Sequence, residues 1–170
     1  MTGGDILPGL STDGRRGLSR AEVARAVPPG SRRTASQREA LRRGLACPEL
    51  AGVRADFREH LRDWWRIHVC HASWGGAGRP PRGTTEPTCA RVCELAGMSP
   101  STYKACRRWW EARGYIAIVR LGSTPDLRPA VLRAPGDDAN IRQAYVLCVP
   151  RPKQAAPHQT APRPLTRPPI

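Results

Sequence analysis

Acidic residues are scarce in this chain: 14 Asp and Glu stand against 28 Lys and Arg, a formal charge of +14 over 170 residues. Lysine is scarcer still, with only Lys104 and Lys153, so nearly all the positive charge is arginine. Such an excess of base points to a polyanionic partner. The planar guanidinium fork suits phosphate oxygens and guanine edges better than a lysine point charge does, which favours nucleic acid over a membrane surface. A GC-rich genome would raise Arg and Pro together, but that explains the choice of Arg over Lys and not the shortage of acid. Long apolar runs are missing too: none approaches the ~20 residues that a membrane span requires. The first ten residues, MTGGDILPGL, lack the charged-then-apolar layout of a signal peptide. A cytoplasmic chain with no membrane partner is expected, and there Cys47, Cys70, Cys89, Cys93, Cys106 and Cys148 are expected as free thiols.

Catalytic signatures are also wanting. No glycine loop ends in Gly-Lys-Ser or Gly-Lys-Thr, and no nucleophile, base and orienting acid come together as a set. His68 and His71 do not have the spacing of a metal-dependent nicking pair, whose histidines belong on a strand with one residue between them. Cys70, His71, Cys89 and Cys93 could supply four zinc ligands, but they lack a knuckle pair of two-residue spacing. Neither enzyme activity nor a cofactor is expected.

What is present divides into three. Residues 1–35 are rich in Gly, Pro, Ser and Arg, poor in large apolar groups, and are expected to form a disordered basic arm, interrupted by a short helix from Ser19, whose capping box is completed by Glu22. Residues 150–170 carry seven prolines among scattered Arg and Lys and are expected to be a disordered basic tail. Between them, residues 36–149 form the expected domain. A second capping box, Ser36 with Glu39, opens a helix to about Ala46. Val53, Phe57, Leu61, Trp64, Trp65 and His68 recur at three and four residues, predicting a long packing helix over 52–73. The glycine and proline stretch 74–85 is expected to be a surface loop. A short helix over 86–96, with Pro87 in its first turn, then ends at Gly97, and Ser99 caps a second that runs to Gly114. Residues 115–121 and 144–149 read as strands able to pair as a hairpin with a long tip.

Two short helices joined by Gly97, Met98 and Ser99 have the turn length of a helix-turn-helix, and Val92, Cys93, Ala96, Met98, Tyr103 and Cys106 fall where the helices must touch. The stretch ARVCELAGMSPSTYKACRRWWEARGYIAIVRLG resembles the winged helix-turn-helix family in its helix, turn, recognition helix, closing glycine and first wing strand. The resemblance spans residues 88–149, with 53–73 as the preceding helix. It implies a mainly α fold with a small β-hairpin wing, an α+β winged helix-turn-helix. Arg107 stands where members usually carry an aliphatic residue, and Trp109 and Trp110 are bulkier than the usual leucine. More loosely, the order of parts resembles replication initiators encoded on actinobacterial plasmids.

With the second helix in a major groove, its outward residues would be Ser101, Thr102, Lys104, Ala105 and Arg108. Lys104 and Arg108 would donate to guanine acceptors, Thr102 would touch a base or phosphate, and Ser99 and Ser101 would join backbone amides in holding phosphate. The resemblance implies that a wing could offer Arg120, Arg128, Arg133 and Arg142, although Asp126, Asp137 and Asp138 weaken it as a phosphate binder. Arg54, Arg58, Arg62 and Arg66 form a stripe that either grips phosphates or pairs with Asp56, Glu59 and Asp63. The tryptophan pairs 64–65 and 109–110 are expected in the core rather than as base-stacking platforms. The expected function is sequence-specific binding of double-stranded DNA, as a transcription regulator or a plasmid replication or transfer factor with replication or transcription proteins as further partners. The alternative is a protein-interaction module whose tails attract nucleic acid non-specifically.

Overall fold

The computed structural model describes residues 17–121 and 143–152, a mixed α+β fold. Helix α1 (Arg20–Ala26) is followed by strand β1 (Ser31–Arg33), α2 (Gln37–Leu45), a single 3-10 turn (Pro48–Gly52) and the long α3 (Ala55–His71). Then come β2 (Thr84–Thr85), α4 (Cys89–Ala96), α5 (Pro100–Ala112), β3 (Ile116–Arg120) and β4 (Ala144–Pro150). No helix among the described residues is long and apolar enough to cross a membrane.

Strand β4 organises the sheet, because β1, β2 and β3 all pair with it antiparallel. Tyr145 and Val146 are paired by both β2 and β3, so those strands lie on opposite edges of β4. The Leu147 N–H donates to Gly83 and its carbonyl accepts from Thr34, which places β1 and β2 in tandem on one edge. Tyr145, Leu147 and Ile116 turn into the main core with the helices, whereas Ala144, Val146, Cys148 and Ala117 turn the other way and are covered by Leu18 and Val23. A strand buried on both faces explains the uninterrupted apolar run AYVLCV.

The main core is aromatic. Trp64, Trp65 and Trp110 are fully buried, with the Trp65 and Trp110 ring centroids 4.8 Å apart. Each of these two indoles has its N–H satisfied, Trp65 by the Ala40 carbonyl (2.9 Å) and Trp110 by the Leu61 carbonyl (3.1 Å). These bonds remove the cost of burying a polar group and fix α2 and α5 to α3. The expectation that the tryptophans pack inward holds for these three; Trp109 is half-buried and carries the Arg113 guanidinium on its face, 3.9 Å from the ring centroid.

Several expected boundaries move. Residues 17–35 are no detached arm: α1 lies on the outer sheet face and β1 is hydrogen-bonded to the end of β4. A local apolar count misses this, since the segment covers the small side chains opposite it with few apolar residues, Leu18 and Val23 with Ala26 and Val27 beside them. The surface loop expected over 74–85 ends in a buried strand, because Thr84 and Thr85 complete the edge of β4. Pro87 lies before the cap of α4, where Thr88 accepts from the Arg91 N–H, rather than in the first helical turn. At Ser36 the capping box is only half made: Ser36 accepts from the Glu39 N–H, but the Glu39 carboxylate turns to the Ala35 N–H and to Arg32. The tail expected over 150–170 begins later, because Pro150 ends β4 and the Arg151 N–H donates to the Gly30 carbonyl; residues 153–170 and the expected hairpin tip lie outside the described residues.

Candidate nucleic-acid interface

The turn between α4 and α5 is built by three residues. Gly97 takes a left-handed conformation (φ 60°) that closes α4 at little steric cost, Met98 is buried against the core, and Ser99 caps α5 by accepting from the Thr102 N–H (3.2 Å). Val92, Met98, Tyr103 and Cys106 are buried where the helices meet, with Cys93 and Ala96 packed against them. Helix α5 is pinned further by Tyr103, whose hydroxyl meets that of Tyr145 on β4 at 3.2 Å. Burial and this like partner push the Tyr103 phenol above its ordinary range, so both hydroxyls stay neutral.

With Tyr103, Cys106 and Trp110 turned inward, the helical period puts Ser101, Lys104, Ala105, Arg108 and Ala112 on the exposed side. Four of the five expected contact residues are exposed, and Thr102 is half-buried at the same end. Ser99, Ser101 and Thr102 share a small hydroxyl cluster, with Ser99 Oγ 3.0 Å from Ser101 Oγ and 2.9 Å from Thr102 Oγ1. Ser99 is therefore first a capping group, and its oxygen is already engaged. Lys104 and Arg108 form no ion pair among the described residues. Arg107 is half-buried beside the Tyr145 hydroxyl, away from the exposed row.

The stripe on α3 behaves differently. Arg54 pairs with Asp56 (2.9 Å), Arg62 with Glu59 (2.6 Å) and Arg66 with Asp63 (3.1 Å), while Arg58 donates to the Val53 carbonyl (2.7 Å). Three of these four cations are thus already compensated on their own helix.

The residues expected on a wing separate as well. Arg120 is drawn toward the N-terminal helix, 3.7 Å from the Glu22 carboxylate and 3.4 Å from the Gly17 carbonyl. The physical reason is α1, which lies on the outer face of the sheet and brings a carboxylate to the end of β3. Arg128, Arg133 and Arg142 lie outside the described residues.

Among the described residues no three His, Cys, Asp or Glu side chains group as a metal site. Cys89 and Cys93 do approach, Sγ to Sγ 3.9 Å, as neighbours one turn apart on α4. Burial, and after it the second thiol, push Cys89 up to about 11, so it remains protonated. Sequence reasoning passed over Arg20, Arg33, Arg79 and Arg82, which fall in the segments expected to be arm and connection; the available signal was Arg79 and Arg82 flanking Pro80 and Pro81. Comparison with known protein families, curated proteins and solved structures finds no match for this chain.

Proposed function

We propose that this chain is a winged helix-turn-helix protein that binds specific duplex DNA, with α5 as the groove-reading helix. The single observation that carries the reading is the exposed row of α5, where Lys104 and Arg108 have no acidic partner among the described residues, on a helix whose opposite side is locked into an aromatic core. The chain order supports it. Helix α3, strand β2, helices α4 and α5, then β3 and β4, with β2 closing onto β4, is the order of parts that a winged helix requires. A helix in a major groove needs donors at its exposed positions and a rigid mount behind them. Counterion release at phosphates would supply most of the affinity, and Lys104, Arg108 and Thr102 the base preference. The process served would be transcription regulation, or plasmid replication or transfer, in which the chain marks a DNA site for replication or transcription proteins.

Selection of bound sequences from a random duplex pool tests the reading, using the full chain and a chain lacking residues 153–170. Both should enrich one motif. A pool that stays random in both cases would overturn it in favour of an interaction module.

A further inference from the structure

On the edge of the sheet formed by β1 and β2, the loop after α3 folds against the start of α1 and leaves a cleft of about 450 Å³. Arg20, Arg33, Arg79 and Arg82 line it, with Gly75 and Gly76 on the loop side. No acidic side chain lines it, and none of the four arginines has a carboxylate partner among the described residues. Elsewhere six arginines, at positions 32, 54, 62, 66, 91 and 120, do have one. The loop is shaped around these cations. Gly75 and Gly76 hold φ values of 107° and 122°, a backbone that side-chain-bearing residues rarely adopt. A Cβ at Gly76 would come within 3.3 Å of the Arg79 side chain, and one at Gly75 within 3.6 Å of the Arg82 guanidinium. Arg82 is steadied by donation to the Ala35 carbonyl (3.4 Å).

We propose that this cleft is a phosphate-binding site separate from the exposed row of α5, and that its ligand carries two or more linked phosphates. Four arginines lining one cleft with no acidic side chain among the described residues match a polyphosphate or a run of phosphodiesters, whose oxygens accept paired N–H donors. The volume lies in the range of small-ligand clefts, roughly 300 to 1,000 Å³. The site is distinct from α5, since none of the residues that line it belongs to that helix. Binding of a free polyphosphate here does not depend on the reading of α5 as a DNA helix.

The test is calorimetric titration of the full chain with inorganic tripolyphosphate, repeated on R20Q/R79Q and K104A/R108A, with thermal melting of each variant. The proposal expects one tripolyphosphate per chain, at least tenfold weaker binding in R20Q/R79Q at unchanged melting temperature, and wild-type binding in K104A/R108A. Arg33→Gln gives the same reading should R20Q/R79Q lose its melting transition. Two further outcomes identify the source of the phosphates. Random duplex that tripolyphosphate displaces, and that R20Q/R79Q binds more weakly, assigns the site to nucleic-acid backbone; duplex binding indifferent to both assigns it to a free polyphosphate. Absence of binding by the wild-type chain, or equal weakening in both double variants, would overturn the proposal.

Discussion

His68 lies on the inner side of α3 with its ring stacked on Trp64 at 3.7 Å between centroids, and both ring nitrogens are buried without a hydrogen-bond partner among the described residues. Burial, and to a lesser degree the nearby His71, lower its pKa from the ordinary 6.5 to about 3. The folded state thus holds His68 neutral while the unfolded chain takes up a proton. This histidine's contribution is complete above its unfolded pKa and is lost as pH falls from about 6.5 toward 3. Denaturant unfolding at pH 7 and pH 5 should show a loss of about 2 kcal/mol that disappears in His68→Phe. Glu39, lowered to about 2 chiefly by Arg32, adds its own acid sensitivity as pH falls from about 4.5 toward 2, mostly below the pH 7 to pH 5 comparison that tests His68. A residue's outward or inward side was legible in the sequence wherever a regular helical period applied, which is why Lys104, Ala105 and Arg108 were placed correctly. Arg120 was not legible, because its partner Glu22 is remote in sequence and meets it only through the packing of α1 on the sheet. Arg120→Ala should accordingly lower the melting temperature by a few degrees while changing affinity for DNA less than twofold, measured by melting and by fluorescence anisotropy.

Among the elements, α2 and α3 are in close contact at Gly44. A Cβ there would lie 2.1 Å from Trp65 Nε1, the atom that donates to Ala40. Gly44→Ala should therefore destabilise the protein by roughly 1 to 3 kcal/mol through overpacking, despite alanine's better helix propensity. Gly52→Ala, with nothing within 4 Å of the new methyl, should change stability by less than about 0.5 kcal/mol in the same denaturation assay. Capping residues and the helical repeat made α2, α3 and α5 readable, since these are local signals. Strand β2 escaped because Thr84 and Thr85 are too few to show an alternating pattern, and a strand of that length exists only through its pairing with β4. The same holds for β1. Both are consequences of β4, and nothing in their own residues announces them.

For the whole molecule, the sheet is the joint between the N-terminal segment and the helix pair α4 and α5. Deleting residues 1–34 would uncover the Ala144, Val146 and Cys148 face and remove β1, so the shortened chain should melt well below the full one in calorimetry, whereas deleting 153–170 removes no described element. The surplus of base over acid was evident from composition, but its division into compensated and uncompensated cations was not. The pairs of Arg62 with Glu59 and of Arg66 with Asp63 follow from helical spacing, whereas the fold delivers a carboxylate to Arg120 and, among the described residues, none to Lys104 and Arg108. The central claim is that these last two read bases. It is tested most directly by comparing wild-type, Lys104→Ala and Arg108→Ala chains on the selected duplex and on random duplex at one salt concentration. The account predicts a loss of roughly 1 to 3 kcal/mol on the selected duplex and a much smaller one on random duplex. Equal losses on both would contradict it, leaving Lys104 and Arg108 as general phosphate attraction and α5 without a reading role.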